Sequence, residues 1–144
     1  MNIEHVLAQK GGQVYTARPD QTVREVLAQL AAHNVGALVV VDERGRPLGI
    51  ISERDIVRAA VRDEALFGRP VRQLMTRDLI TAAPGDDLRV VAHTMTERRI
   101  RHLPVVVGER LAGIVSIGDV VKAQRDQYEG EIDMLEARVA TEHP

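Results

Sequence analysis

Gly49-Ile50-Ile51-Ser52-Glu53-Arg54-Asp55 recurs as Gly113-Ile114-Val115-Ser116-Ile117-Gly118-Asp119, 64 residues later. Each copy follows an apolar run, Leu38-Val39-Val40-Val41 in the first case and Leu103-Pro104-Val105-Val106-Val107 in the second. Further upstream, Thr16-Ala17-Arg18-Pro19 answers Thr81-Ala82-Ala83-Pro84 at a spacing of 65. The one-residue slip falls in the turn between apolar run and glycine, where Asp42 to Pro47 is replaced by the shorter Gly108-Glu109-Arg110. Turns are where insertions are tolerated, so the slip supports the alignment. The chain is an internal duplication, and that decides its architecture before any single residue is read.

A unit of about 60 residues is marginal without disulfides or metal. The chain of 144 residues has no cysteine, so the two copies are expected to fold against each other. Lack of cysteine also removes thiolate chemistry and suits a reducing compartment. A net charge of -2 gives no global basic field for nucleic acid, and one Phe, two Tyr and no Trp leave few surfaces for base stacking. The start, Met1 to Ala8, lacks the basic end and apolar stretch of a signal peptide, and no apolar run approaches the ~20 residues needed to span a bilayer. The expectation is a soluble, cytoplasmic protein with no membrane partner.

Each copy reads as strand, helix, strand, strand, helix, which makes the fold class α/β (α+β) with two tandem βαββα repeats. A strand is expected near Gln13 to Thr16. Thr22-Val23-Arg24-Glu25 has capping-box spacing, and Val23, Val26, Leu27 and Leu30 form one apolar stripe behind it. The second copy repeats this with Leu88, Val91, Ala92 and Met95 behind the cap candidates Asp86 and Asp87. Ala37 to Val41 and Pro47 to Ile51 form a hairpin whose continuous apolar character predicts that both faces are covered. Helices follow at 55–61 and from Asp119 onward. Residues 62–70 read as a linker, with a turn of helix through Val71 to Met75. The divisions are 1–69 for the first repeat with its N-terminal segment, 70–128 for the second, and 129–144 for a C-terminal helical extension. In that last helix Val121, Tyr128, Ile132, Leu135 and Val139 approach a heptad seam, which fits either pairing with a second chain or packing on its own domain.

Serine followed three residues later by an acid, just ahead of a helix, is how a capping box looks. Two features ask for more. The glycine three residues before each serine lets another group approach the strand closely. The serine also sits where free backbone N–H groups and the positive end of a helix converge, which suits a phosphate, while a nearby carboxylate can accept two hydrogen bonds from a ribose diol. Capping and ligand binding are compatible. Arg98-Arg99-Ile100-Arg101-His102 adds cationic charge at the entrance to a strand, whereas the first copy has only His33-Asn34-Val35-Gly36 there. The two clefts are therefore expected to differ, with the basic segment serving the Ser116–Asp119 half and Arg54 offering phosphate contact to the other.

The twice-written phrase behind an apolar hairpin resembles the CBS domain (cystathionine β-synthase), and two in tandem resemble a Bateman module, from about Val6 to Gln127. The resemblance implies halves packed with pseudo-two-fold symmetry around clefts that bind adenosine-type ligands such as AMP, ADP, ATP, NAD or S-adenosylmethionine. It further implies that Asp55 and Asp119 hold ribose hydroxyls, that Ser52 and Ser116 lie near phosphate, and that Ile50 and Ile114 contact adenine or ribose. Arg101 and His102 match basic positions that meet phosphate in that family. The expected role is a nucleotide sensor, a homodimer acting on an unidentified regulated protein, with no catalytic cofactor. A purely structural dimerisation module with empty clefts is the alternative; nucleic-acid binding through Arg98 to His102 is disfavoured by the net charge. An enzyme is not expected, since no P-loop lysine, Gly-x-Gly-x-x-Gly or nucleophile elbow is present. His5, His93 and His143 are isolated from carboxylates, and no metal site is expected.

Overall fold

The computed structural model describes residues 1–11 and 13–142, so His143 lies outside the described residues. The element order is α1 (Ile3–Lys10), β1 (Thr16–Ala17), α2 (Val23–His33), β2 (Ala37–Val41), β3 (Pro47–Ser52), α3 (Glu53–Ala60), two 3-10 turns (Leu66–Gly68, Val71–Gln73), α4 (Leu88–Glu97), β4 (His102–Val107), β5 (Arg110–Ser116) and α5 (Ile117–Glu142). None of these helices is long and apolar enough to cross a membrane.

In the first half β1 lies parallel to β2, with Thr16 opposite Val39, and β2 pairs antiparallel with β3, with Ala37 opposite Ser52. In the second, β4 and β5 pair with His102 opposite Ser116, and a single parallel bridge between Ala82 and Val105 takes the place of β1. Both hairpins carry a register shift at the same point, Val40/Val41 and Val105/Val106. The first strand is shorter and later than the expected Gln13 to Thr16, because the chain meets β2 only from Thr16; Tyr15 instead stacks on the His33 ring at 3.7 Å.

Helix starts follow their sequence signals. Thr22 caps α2 by accepting from the Glu25 N–H, and Asp87 caps α4 by accepting from the Arg89 N–H. Asp86 does something else: its carboxylate closes a turn by accepting from the Ala83 N–H at 2.9 Å. Continuous burial holds for β2, every residue of which is buried. It fails for β3, whose Leu48 and Ile50 face outward or into a cavity. The stretch read as a linker packs on the first half, with Leu66 buried and an Asp63–Arg69 ion pair closing the turn.

The halves are interleaved. Ile3 and Val6 of α1 pack among Leu88, Val91, Met95, Leu103 and Val115 of the second core, while Val71 and Met75 pack among Val23, Val26, Leu38 and Ile51 of the first. The backbone bonds match pair by pair. Ile3 N–H to Asp86 O (3.0 Å) mirrors Val71 N–H to Gln21 O (2.7 Å), and Glu4 N–H to Pro84 O (2.9 Å) mirrors Arg72 N–H to Pro19 O (3.1 Å). The segment leading into each half thus docks on the other half. Neither small core is complete without it, which is how two units below the usual size limit stabilise one another.

α5 departs from this symmetry. Val120 and Ala123 are buried in the second core, but Val121, Tyr128, Ile132, Leu135 and Val139 are each more than half exposed. The alternative in which this seam packs on its own domain is therefore overturned.

Candidate nucleotide-binding cleft

Both Ser-x-x-Asp phrases turn a strand into a helix with their own side chains. Ser52 Oγ accepts from the Asp55 N–H at 3.2 Å, while Asp55 Oδ2 accepts from the Ser52 N–H (3.2 Å) and hydroxyl (2.8 Å). Ser116 Oγ accepts from the Asp119 N–H at 3.1 Å, and Asp119 Oδ2 from the Ser116 N–H at 2.8 Å. These are reciprocal capping bonds. At the first junction both bonds to the carboxylate land on Oδ2, leaving Oδ1 outside the capping pair.

A cavity of about 740 Å³ opens over that first junction. One wall is Gly36, Ile50, Ser52, Glu53, Arg54, Asp55 and Arg58; the facing wall is Arg98, Arg99, Ile100, Arg101, His102 and Pro104, with Thr76, Asp78, Leu79 and Ile80 forming a third side. The basic segment expected to serve the Ser116–Asp119 half thus faces the first half's phrase instead. Interleaving is the reason: the entrance of β4 abuts the entrance of β2, so closely that a Cβ on Gly36 would lie 3.2 Å from His102 Nε2. Ile50, Ser52, Arg54, Asp55, Arg101 and His102 line one cavity together; Ile114, Ser116 and Asp119 are not part of its lining. Five arginines against Glu53, Asp55 and Asp78 give this cleft a positive excess in a chain of net charge -2.

Glu53, Arg58, Thr76 and Asp78 were not singled out by sequence. Arg58 was within reach, being one helical turn from Arg54, and it also borders a second cavity of about 700 Å³ with Arg62 and Arg69. Thr76 and Asp78 carry no local signal, since only the docking of one half's leading segment brings them there.

Electrostatics differ at the two phrases. Partial burial pushes the Asp119 carboxyl up, but the Lys10 hydrogen bond, the Ser116 backbone and the Lys10 charge together outweigh it and hold the group below its ordinary value. The ion pair is short, Lys10 Nζ to Asp119 Oδ2 at 2.7 Å, and the same ammonium donates to the Ile114 carbonyl at 2.8 Å. His102 stands between the halves. Its burial, reinforced by the Lys10 charge, lowers its pKa despite Glu53 and Asp119, which act in the opposite sense. The imidazole is therefore neutral near pH 7 and can accept as well as donate.

Comparison with known proteins agrees with the fold. The family model of the CBS domain matches twice, at residues 9–62 and 71–126. The chain is 36% identical over 146 residues to the CBS domain-containing protein CBSX3, mitochondrial, of Arabidopsis thaliana, covering 95% of this chain and 71% of that protein. It superposes on the crystal structure of a CBS-domain containing protein of Agrobacterium tumefaciens with a TM-score of 0.82 and 39% identity, over 86% of this chain and 99% of that one. The CBS domain pair of protein MJ0100, crystallised with 5′-methylthioadenosine and S-adenosyl-L-methionine, gives a TM-score of 0.79 at 28% identity, over 88% of this chain and 98% of that one.

Proposed function

The chain belongs to the CBS domain family, with two copies in tandem, and from that premise we propose that it is a regulatory sensor of an adenine nucleotide rather than an enzyme. The observation that carries the reading is the joining of Ser52 and Asp55 with Arg98, Arg99 and Arg101 around one cavity of about 740 Å³. Ligand pockets run from roughly 300 to 1,000 Å³, so the space suits a mononucleotide. In this reading Asp55 accepts from the ribose hydroxyls, Ile50 and Pro104 flank the adenine, and the arginines take the phosphate through charge-assisted bonds. The adenosine-containing ligands in the MJ0100 complex support the ligand class. The cationic wall favours phosphate-bearing members, AMP, ADP, ATP or NAD, over the neutral or cationic ones.

Binding between halves that share their cores biases one arrangement of the two over another. The response is limited by the ligand's differential affinity, typically ~1–3 kcal/mol. The exposed seam of α5, Tyr128 to Val139, offers a surface for homodimer formation through which that shift reaches a partner protein.

Titration calorimetry with AMP, ATP, NAD and S-adenosylmethionine tests the reading. Saturable binding of at least one phosphate-bearing nucleotide is expected, and a ligand at 100 times its Kd raises stability by roughly 2.7 kcal/mol. Absence of heat and of thermal shift with all four would leave the cleft structural, and sustained turnover of any of them would make the protein an enzyme.

A further inference from the structure

The leading segments dock on opposite halves through matching bonds and then diverge. Leu7 stands four residues after Ile3, as Met75 does after Val71, and each lies over the glycine of the opposite phrase. A Cβ on Gly113 would be 2.7 Å from Leu7 Cδ2, and one on Gly49 2.7 Å from Met75 Sδ. In the first half the next residue, Thr76, pairs by backbone with Ile50, N–H to O at 2.9 Å and O to N–H at 3.0 Å, and the Asp55 carboxylate keeps Ser52 as its partner. In the second half the segment is three residues longer between docking point and strand, from Ile3 to Thr16 against Val71 to Thr81. It forms the full helix α1, and Lys10 at its end grips Ile114 O and Asp119 Oδ2. Ile114 is the counterpart of Ile50, and Asp119 of Asp55.

The geometry points to Lys10 as a built-in occupant of the second cleft: its ammonium pairs with Asp119 through Oδ2, the oxygen that also caps the Ser116 N–H, and so neutralises the carboxylate that a ligand's ribose hydroxyls would need. The chain then binds one nucleotide at the first half and a second only when the last turn of α1 lifts away. This rests on the reading of Asp55 above, carried across by symmetry. The pair is partly open to water, with side-chain exposures of 34% and 25%, so its exchange is feasible. Buried Ile3 and Val6 keep the start of α1 anchored while its end moves. An occupant that holds the closed state ten to one lowers the apparent affinity of the second site about tenfold.

The test is AMP titration of the full chain, counting sites, in the wild type, Lys10→Met, Asp55→Asn and the Lys10→Met/Asp55→Asn double variant; Lys10→Gln replaces Lys10→Met if circular dichroism shows misfolding. One site is expected in the wild type, two in Lys10→Met, none in Asp55→Asn at the same concentrations, and one in the double variant, removed by adding Asp119→Asn. Two equal sites in the wild type, no gain in Lys10→Met, or weaker second-site binding in that variant overturns the proposal. A wild type that binds nothing while Lys10→Met binds one AMP through Asp119 upholds Lys10 and defeats the assignment of Asp55. A wild type binding one AMP through Asp55, with no gain in Lys10→Met, does the reverse; no binding by any variant defeats both.

Discussion

The turn at Ser52 and the turn at Ser116 share the same pair of reciprocal bonds to backbone N–H groups, yet Asp55 faces an open cavity edged with arginine while Asp119 is held by Lys10. The backbone repeats faithfully; the chemistry does not. What separates the two sites is the segment that crosses from the other half. In one case it is a short 3-10 turn ending in a backbone bridge, in the other a whole helix ending in a cation. A duplicated fold can therefore acquire two unlike sites through a three-residue difference outside either repeated phrase.

The largest expected contrast is at the glycines. A methyl on Gly49 would meet the Thr76 carbonyl oxygen at 2.8 Å as well as Met75, and backbone cannot yield as a side chain can. Gly113→Ala meets Leu7 first, whose terminal methyls can rotate. Urea unfolding should show Gly49→Ala destabilised by about 2–3 kcal/mol and Gly113→Ala by about 1 kcal/mol or less. Equal losses would mean that the two crossing segments are equally tight.

Next in size is the aspartate pair. Asp55→Ala should weaken AMP binding about tenfold or more, the loss of a hydrogen-bonded charged acceptor, while Asp119→Ala should leave the first site within about twofold. Each variant also loses about 1 kcal/mol of stability from its cap. Calorimetry showing the larger binding loss in Asp119→Ala would invert the comparison. A finer probe is Arg101→Ala, which should weaken AMP several-fold more than adenosine; equal effects would remove Arg101 from the phosphate contact.

The smallest effect is in pH. His102, whose counterpart in the first half is Ala37, has a folded pKa below its ordinary 6.5. As pH falls through that ordinary value the unfolded chain takes up a proton that the folded chain resists, so stability drops between 6.5 and the lower folded value. His102→Ala should flatten that part of the profile. At more acid pH, Asp119 contributes stability that is fully present above its ordinary 3.8 and is lost as pH falls through its depressed folded value. Lys10→Met should reduce that loss.

Much of this was legible in the chain itself. Repeated Gly-x-x-Ser-x-x-Asp, the Val-rich runs and the Thr22 and Asp87 caps are local signals, and local bonds satisfy them. What escaped was everything set by crossing. Lys10 lies 104 residues from Ile114, and no periodicity in Ile3 to Lys10 says which core its apolar face enters. The arginines at 98 to 101 were visible as charge, but a segment at a strand entrance serves whichever phrase packs against it, and only the interleaving of halves decides that. The half-burial of β3 is hidden from the sequence for a related reason, since an apolar residue such as Ile50 reads alike whether it meets a core or a cavity wall.

α5 runs for 26 residues, about 39 Å at 1.5 Å per residue, and from Tyr128 to Thr141 every residue is exposed, so it stands out from the body like a pointer. It starts at the Ser116–Asp119 turn. A tilt there of about 5° swings the far tip by about 3 Å, simple leverage over the helix's length. A shift too small to notice beside Lys10 becomes, at Val139, roughly the width of a side chain.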